Sequence, residues 1–226
     1  MKVVFDIETV RRYKHLVDAP EAEQAAWEYT SKKKYPDMAL SDSYEQWAGL
    51  YPEFGKIVVI SALANTEKGL VRRFTGMEFG GANAEATLLK NFEEWLTNGG
   101  VTKLIGQYIK GFDIPYIVTR MLAHNMRPPH FFLMYGQKPW ELNHLVCTQE
   151  IWKGGQYKTC NSASLINICL ILGVESPKDG IQGSEVSEVY HSGEPDALDR
   201  IGDYCDKDVV ASAKVFQRLK ELQMYP

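Results

Sequence analysis

Residues 2–8, KVVFDIE, carry more information about the architecture than any other segment of this chain. Their Val and Phe residues favour a β-strand, and the alternation of a strand places Val4, Asp6 and Glu8 on one face. Two acids on one face of an otherwise apolar strand are costly to bury unless something neutralises them. The segment therefore predicts a buried first strand whose Asp6 and Glu8 face a partner.

The segments that follow predict a sheet with helices packed on it. The polar stretch 11–55 is helix-prone and interrupted by three prolines, which predicts a helical insertion or lid after the first strand. Further strands are predicted at 57–65 and 69–76, which form a hairpin, and at 103–109 and 144–152. Further helices are predicted at 82–100, 112–125, 162–174, 185–190 and 196–223. This order predicts a single α/β domain over residues 1–226, with a mixed central sheet flanked by helices.

Composition limits the classes of protein to consider. The 226 residues are 45% hydrophobic, which is enough for a core, and their formal net charge of −4 alone argues against nucleic-acid binding. No apolar run approaches the roughly 18–20 residues of a membrane helix, and no signal peptide is recognisable, so we expect a cytoplasmic protein without membrane contact. Four scattered cysteines without a CxxC pair predict a reduced protein without a zinc site.

Two more acids are predicted to lie near the first strand. Asp113 opens a helix directly after a short strand, where we also expect it to be the N-cap. Asp208 lies on the last helix, with Tyr204 one helical turn before it. Each acid alone has a structural explanation, but grouped carboxylates repel one another, and hard cations such as Mg²⁺ or Mn²⁺ prefer oxygen ligands. Taken together, Asp6, Glu8, Asp113 and Asp208 predict a divalent-metal site.

Three short motifs resemble those of one nuclease family. FDIET at residues 5–9 resembles the first motif of the DEDD superfamily of 3′-5′ exonucleases, and GFDIP at 111–115 resembles the second. YCDKD at 204–208 resembles the third motif in its tyrosine form, because the histidine form needs a His where this chain has Asp203. The similarity runs nearly from end to end and is nearest to stand-alone exonucleases related to the proofreading domain of family B DNA polymerases.

The resemblance implies a ribonuclease H-like fold and a two-metal hydrolysis of phosphodiester bonds at the 3′ end of DNA, which releases nucleoside 5′-monophosphates. Asp6 is expected to bridge two divalent cations, Mg²⁺ or Mn²⁺. Glu8 and Asp208 are expected to hold the cation that activates water, Asp113 the other cation, and Tyr204 the attacking water. Two bound cations offset the four carboxylates, so the net charge of −4 does not exclude a nucleic-acid substrate.

Substrate contacts are predicted mainly after the first motif. The resemblance indicates Thr9 and Val10, followed by Arg11, and the further candidates are Phe112 in the second motif and Lys178. The expected partner is DNA with a single-stranded or frayed 3′ end, with RNA as an alternative substrate and a replication or repair protein as a further partner.

A basic segment of the insertion has two interpretations. The lysines of residues 32–34 lie near Trp27, Tyr29 and Tyr35, and basic groups interleaved with aromatics suit a single strand of nucleic acid. The alternative is a solvated helix face above core aromatics.

Two positions depart from the family pattern. Relatives usually carry Asn where this chain has Tyr108, and Asp-Thr where it has Cys147 and Thr148. Neither position is expected to be a metal ligand, and both are expected to alter hydrogen bonding behind the site. The alternatives to a DNA exonuclease are an RNA 3′-5′ exonuclease of the ribonuclease D kind and a catalytically idle relative that binds nucleic acid or a polymerase. The complete set of motif residues argues against the idle relative.

Overall fold

The structure, a computed structural model, describes residues 1–64, 69–76, 83–138, 141–154, 163–177 and 180–225. Its strands are β1 Lys2–Arg11, β2 Gly55–Ala64, β3 Val71–Thr75, β4 Lys103–Gly106 and β5 Leu145–Cys147. They form a mixed sheet in the order β3-β2-β1-β4-β5. β1 is antiparallel to β2 and parallel to β4, and β4 is parallel to β5. The segment that opens the chain is therefore the central strand.

Helices cover both faces of this sheet. They are α1 Glu21–Lys34, α2 Leu40–Trp47, α3 Ala84–Asn98, α4 Asp113–Ala123, α5 Thr148–Trp152, α6 Leu165–Leu172, α7 Val186–His191 and α8 Ala197–Glu221. Phe5 of β1 belongs to the large apolar core on the side of α3 and α4, whereas Val4 packs against Val209 of α8 on the other side. Among the described residues, no helix combines the length and apolar character that crossing a membrane requires.

The alternation predicted for the first strand is confirmed, and the strand is longer than predicted. β1 continues to Arg11 because β2 pairs with it as far as Gly55. A register shift between Glu8 and Thr9 interrupts that pairing. Such irregularities occur next to active sites, where they redirect a side chain.

The predicted hairpin is confirmed as β2 and β3, and the predicted long helices are confirmed as α3, α4, α6 and α8. The strand predicted at 144–152 is wrong beyond Cys147, where α5 begins. The reason is that its partner β4 ends at Gly106, which pairs with Cys147. Residues after Cys147 therefore have no neighbouring strand with which to form backbone hydrogen bonds. Asp113 is the first residue of α4 and Phe112 is the N-cap, so the capping prediction is wrong by one residue.

The predicted helical insertion contains α1 and α2 and has an apolar core of its own. Trp27 is fully buried there, with its ring 5.0 Å from that of Phe54 and its indole N–H 3.2 Å from the Ser43 hydroxyl. Tyr35 stacks on Trp47 at 5.5 Å. Two of the three aromatics near the lysines of residues 32–34 are therefore core residues, as the second interpretation of that segment requires.

Candidate active site

Four carboxylates converge where β1, the start of α4 and the middle of α8 meet. Strand alternation places Asp6 and Glu8 of β1 on the α8 face. The charges of Asp113, Glu8 and Asp208 all act on Asp6, and those of Asp208 and Asp113 act on Glu8. The structure thus brings together the four acids that the sequence analysis assigned to a metal site. We call them the acidic cluster: Asp6, Glu8, Asp113 and Asp208.

The acidic cluster is electrostatically unfavourable without a cation. Burial raises the pKa of Asp6 and Glu8 well above the usual range, and the neighbouring carboxylates raise it further. Burial likewise raises the pKa of Asp113 to about 7 and that of Asp208 to about 6. No Lys or Arg of the described chain contributes to any of these four shifts. The described residues therefore gather negative charge here without a Lys or Arg to match it.

α8 contributes two more groups to the site. The Tyr204 hydroxyl hydrogen-bonds to Asp208, and burial together with the nearby carboxylates raises the pKa of Tyr204 above its usual value. The Cys205 thiol lies 3.5 Å from the backbone oxygen of Asp6 and 3.8 Å from its Oδ2. Tyr204 is in the site as its motif predicts, whereas no motif indicated Cys205. Its position next to Tyr204, on a helix that faces β1, was the signal that could have found it.

A salt-bridge network fixes the part of α8 that carries Tyr204 and Asp208. Arg73 of β3 lies 2.6 Å from carboxylate oxygens of both Asp203 and Asp206. Asp206 also accepts a hydrogen bond from the Ser61 hydroxyl of β2. Gly202 makes room for this network, because a Cβ there would lie 2.5 Å from the Arg73 guanidinium. The hairpin thus holds α8 against the sheet at the height of the acidic cluster.

Arg11, predicted as a substrate contact, is buried and bound to the protein itself. Its guanidinium donates to the backbone oxygens of Lys14 at 2.8 Å and Glu45 at 3.2 Å. It also forms an ion pair with Glu188 of α7 at 2.7 Å, and only 1% of Arg11 is exposed. Arg11 therefore links β1 to the insertion and to α7 and does not offer an exposed phosphate contact.

The other predicted substrate contacts differ in accessibility. Thr9 hydrogen-bonds to the Tyr116 hydroxyl, and the side chain of Val10 is fully buried in the core below α7 and α8. Phe112 is half-buried, with its ring 5.4 Å from that of Tyr116. Lys178 lies outside the described residues. Thr9 and Phe112 are the predicted contacts among the described residues that keep partial exposure.

A cavity of about 350 Å³ adjoins the acidic cluster. Tyr204 and Asp208 line one side of it. The opposite side includes Leu165, Ile166, Ile181 and Gln182. This lining is apolar with a few polar groups, which suits part of an organic substrate beside the carboxylates.

Two comparisons of the sequence with known proteins bear on its family. A family model described as "Predicted 3'-5' exonuclease related to the exonuclease domain of PolB" matches residues 50–224. An uncharacterized protein of Methanocaldococcus jannaschii is 27% identical over 140 residues, which cover 60% of this chain and 74% of that protein.

The fold resembles part of a polymerase. The family B DNA polymerase from the hyperthermophilic archaeon Pyrobaculum calidifontis aligns with 99% of this chain at a TM-score of 0.62 and 14% identity. The chain spans 25% of the length of that polymerase. The predicted ribonuclease H-like α/β class, a mixed five-stranded sheet flanked by helices, is thereby confirmed.

Proposed function

We propose a specific activity for this chain, which belongs to the family of predicted 3′-5′ exonucleases related to the exonuclease domain of PolB. It removes nucleotides from the 3′ end of single-stranded or frayed DNA by metal-dependent phosphodiester hydrolysis and releases nucleoside 5′-monophosphates. One observation carries the proposal: four carboxylates, two of them buried and two half-buried, meet beside a tyrosine hydroxyl, without a Lys or Arg of the described chain to neutralise them.

The acidic cluster fits Mg²⁺ or Mn²⁺ by its donor chemistry. All four side chains offer carboxylate oxygens, which are the ligands that hard divalent cations prefer. Their raised pKa values mean that a nearby cation would favour the ionised form of all four carboxylates. We therefore assign Asp6, Glu8, Asp113 and Asp208 as the residues that hold two such cations. When bound, the cations activate water and stabilise charge on the attacking and leaving oxygens.

The remaining groups orient the reactants. Tyr204 is protonated at neutral pH, and its raised pKa disfavours the phenolate further, so its hydroxyl acts as a hydrogen-bond donor and not as a base. It is bonded to Asp208, which places it to orient the attacking water. The Cys205 thiol contacts Asp6 from the opposite side and restricts the rotation of that carboxylate. The chain thus contributes fixed ligands and one positioned donor.

The proposal includes the cellular compartment, the extent of the domain and the biological process. The described cysteines, Cys147, Cys169 and Cys205, are free and buried, which suits a reducing, cytoplasmic environment. We propose one domain over residues 1–226, in which the insertion 11–55 flanks the path of the nucleic acid. Arg11, the last residue of the strand that carries Asp6 and Glu8, is hydrogen-bonded to Lys14 and Glu45 of the insertion, which supports this placement. A role in DNA replication or repair, with a partner from those processes, is the corresponding biological context.

The test uses matched 5′-labelled single-stranded DNA and RNA with Mn²⁺, Mg²⁺ or EDTA. We expect stepwise shortening of the DNA from its 3′ end with either metal and none with EDTA. Asp6→Asn and Asp208→Asn are each expected to lower the rate by roughly 10³-fold or more, since several kcal/mol of transition-state stabilisation are lost. Glu221→Gln, which removes an exposed charge from the same helix, is the control with unchanged rate.

Each result of that test has a consequence. Shortening in EDTA, or full activity of both Asp variants, would contradict the proposal. Preferential shortening of RNA would replace DNA by RNA as the substrate. Oligonucleotide binding without any shortening would identify an idle relative.

A further inference from the structure

Tyr108 has an unusual backbone conformation in the turn between β4 and α4. Its φ of 59° lies in the left-handed region, which costs a residue with a side chain on the order of 1–3 kcal/mol. The turn maintains it, since the Tyr108 carbonyl accepts hydrogen bonds from the N–H groups of Gly111 at 2.8 Å and Phe112 at 3.0 Å. A strained conformation that the surrounding turn enforces indicates a functional position.

The Tyr108 ring is both fixed and accessible. It lies directly over Gly111, where a Cβ would be 2.2 Å from the ring carbon Cζ and would displace the ring from this position. Nevertheless 50% of Tyr108 is exposed. Burying an aromatic ring is favourable, so a ring that is held rigidly and left half in water is available to another molecule.

This ring lies at the same end of the sheet as the acidic cluster. β4 runs parallel to β1, and its last residue, Gly106, lies against the carbonyl of Phe5, which precedes Asp6. The turn that begins there ends at Asp113. Sites in sheets of this kind form outside the carboxyl ends of neighbouring parallel strands. Tyr108 therefore lies on the turn of residues 107–112, which joins β4 to the start of α4 beside the acidic cluster.

Gln107, the residue before Tyr108, fixes this turn through two side-chain hydrogen bonds. The Gln107 side chain accepts a hydrogen bond from the Thr148 hydroxyl at 2.5 Å and donates to the backbone oxygen of Ala163 at 3.1 Å. Both side-chain functions of Gln107 are thus used inside the protein. The turn therefore exposes the aromatic ring of Tyr108 to solvent.

We propose that Tyr108 is a stacking platform for an unpaired nucleobase at the 3′ end of the substrate, an inference that rests on the proposed exonuclease function. Every base has a π-face, so the contact tolerates any sequence but requires a base that is not paired. The platform directs the chain toward single-stranded and frayed ends.

The test compares two variants of this position with a distant exposed tyrosine. Tyr108→Asn removes the ring, and Asn tolerates the left-handed backbone. Tyr108→Phe keeps the ring and removes the hydroxyl. Tyr135→Ala is the control, because Tyr135 is 98% exposed on another loop. KM and kcat are measured on single-stranded DNA that ends in a normal or an abasic 3′ nucleotide, and folding is checked by circular dichroism.

We expect Tyr108→Asn to raise KM by about 5- to 150-fold on the normal end, as the loss of one base–aromatic stack predicts, with a much smaller change in kcat. On the abasic end it is expected to equal the wild type, and Tyr108→Phe and Tyr135→Ala are expected to equal the wild type on both ends. A folded Tyr108→Asn variant with wild-type KM on the normal end would overturn the platform, as would an equal loss in Tyr108→Phe. A wild-type protein that cleaves neither end would instead overturn the proposed function.

Discussion

Two sites in this molecule bury carboxylates, and they treat the negative charge in opposite ways. At the first, the acidic cluster, the carboxylates face one another. At the second, Glu85 of α3 accepts hydrogen bonds from Arg120 at 2.9 and 2.7 Å, from His124 at 2.7 Å and from the Ile57 N–H at 2.7 Å. We call this second group the Glu85 site. Glu85 and Glu8 are each 8% exposed, so these two glutamates differ in their partners and not in their burial.

The pKa values follow the partners. Burial tends to raise the pKa of Glu85, but the hydrogen bonds and charge of Arg120 outweigh it, so the pKa lies below its usual value. In the acidic cluster no comparable interaction counteracts the effect of burial, so the pKa values of Asp6 and Glu8 rise. A buried carboxylate with its own guanidinium is a structural element. Buried carboxylates without one are stable as anions only with a cation from outside the chain, which is why only the acidic cluster is assigned to metal.

The largest expected effect on stability is at the Glu85 site. Glu85→Gln leaves the Arg120 guanidinium buried beside a neutral amide, and breaking a buried pair in this way costs about 3–5 kcal/mol. Urea unfolding at neutral pH in EDTA measures the loss. Glu221→Gln is the matched control, expected within about 0.5 kcal/mol of the wild type. Equal stability of the two variants would show that the Glu85 site is not structural.

The same charge removal is expected to have the opposite sign in the acidic cluster. Asp113→Asn removes one of four mutually repelling acids, so the metal-free protein should gain about 1–3 kcal/mol at neutral pH, on the order of one to two pKa units at 1.36 kcal/mol each. The same unfolding experiment measures the gain, and added Mn²⁺ should abolish it, because the variant has lost a ligand. A destabilised Asp113→Asn variant in EDTA would argue against repulsion in the cluster.

The pH dependence of stability separates the sites further. The pKa of Asp113 is about 7 in the folded chain and 3.8 ordinarily, so between these values the folded state binds more protons than the unfolded state. Stability therefore falls as pH rises through this window, and it falls more steeply in the wild type than in Asp113→Asn, which lacks this titrating group. Unfolding curves of both proteins in EDTA across the window provide the measurement. Parallel pH profiles would contradict the raised pKa.

The smallest effect on stability is expected at the salt-bridge network on α8. Its carboxylates have a cationic partner, as Glu85 does, but the pairs are more exposed to solvent. Arg73 supplies the cation for Asp203 and Asp206, but Asp203 is 67% exposed, and solvent screens such pairs. Arg73→Ala is expected to cost about 1 kcal/mol of stability. Thermal unfolding detects this loss, and a loss as large as that of Glu85→Gln would place Arg73 among the buried structural pairs.

The parts of the site that could be predicted from sequence are those set by local periodicity. Strand alternation relates Asp6 to Glu8, and one helical turn relates Tyr204 to Asp208. Neither period reveals what lies across the fold. The burial of Arg11 depends on a carbonyl of α2 and a carboxylate of α7, which are distant in sequence.

Other features depend on long-range contacts in the same way. Glu85 appeared in the sequence as one more acid in an amphipathic helix, because its partner Arg120 is on α4. The premature end of the strand predicted at 144–152 follows from the length of β4, its neighbour. The left-handed backbone of Tyr108 follows from a turn whose hydrogen bonds no residue pattern indicates.

Calorimetric titration of the protein with Mn²⁺, without nucleic acid, tests most directly whether the acidic cluster holds metal. We predict saturable binding by the wild type and by Tyr135→Ala, with a gain of about 2.7 kcal/mol in unfolding free energy at a hundredfold excess over Kd. Asp6→Asn combined with Asp208→Asn is predicted to abolish both the binding and the gain. Absence of Mn²⁺ binding to the wild type, or unchanged binding to the double variant, would contradict the assignment.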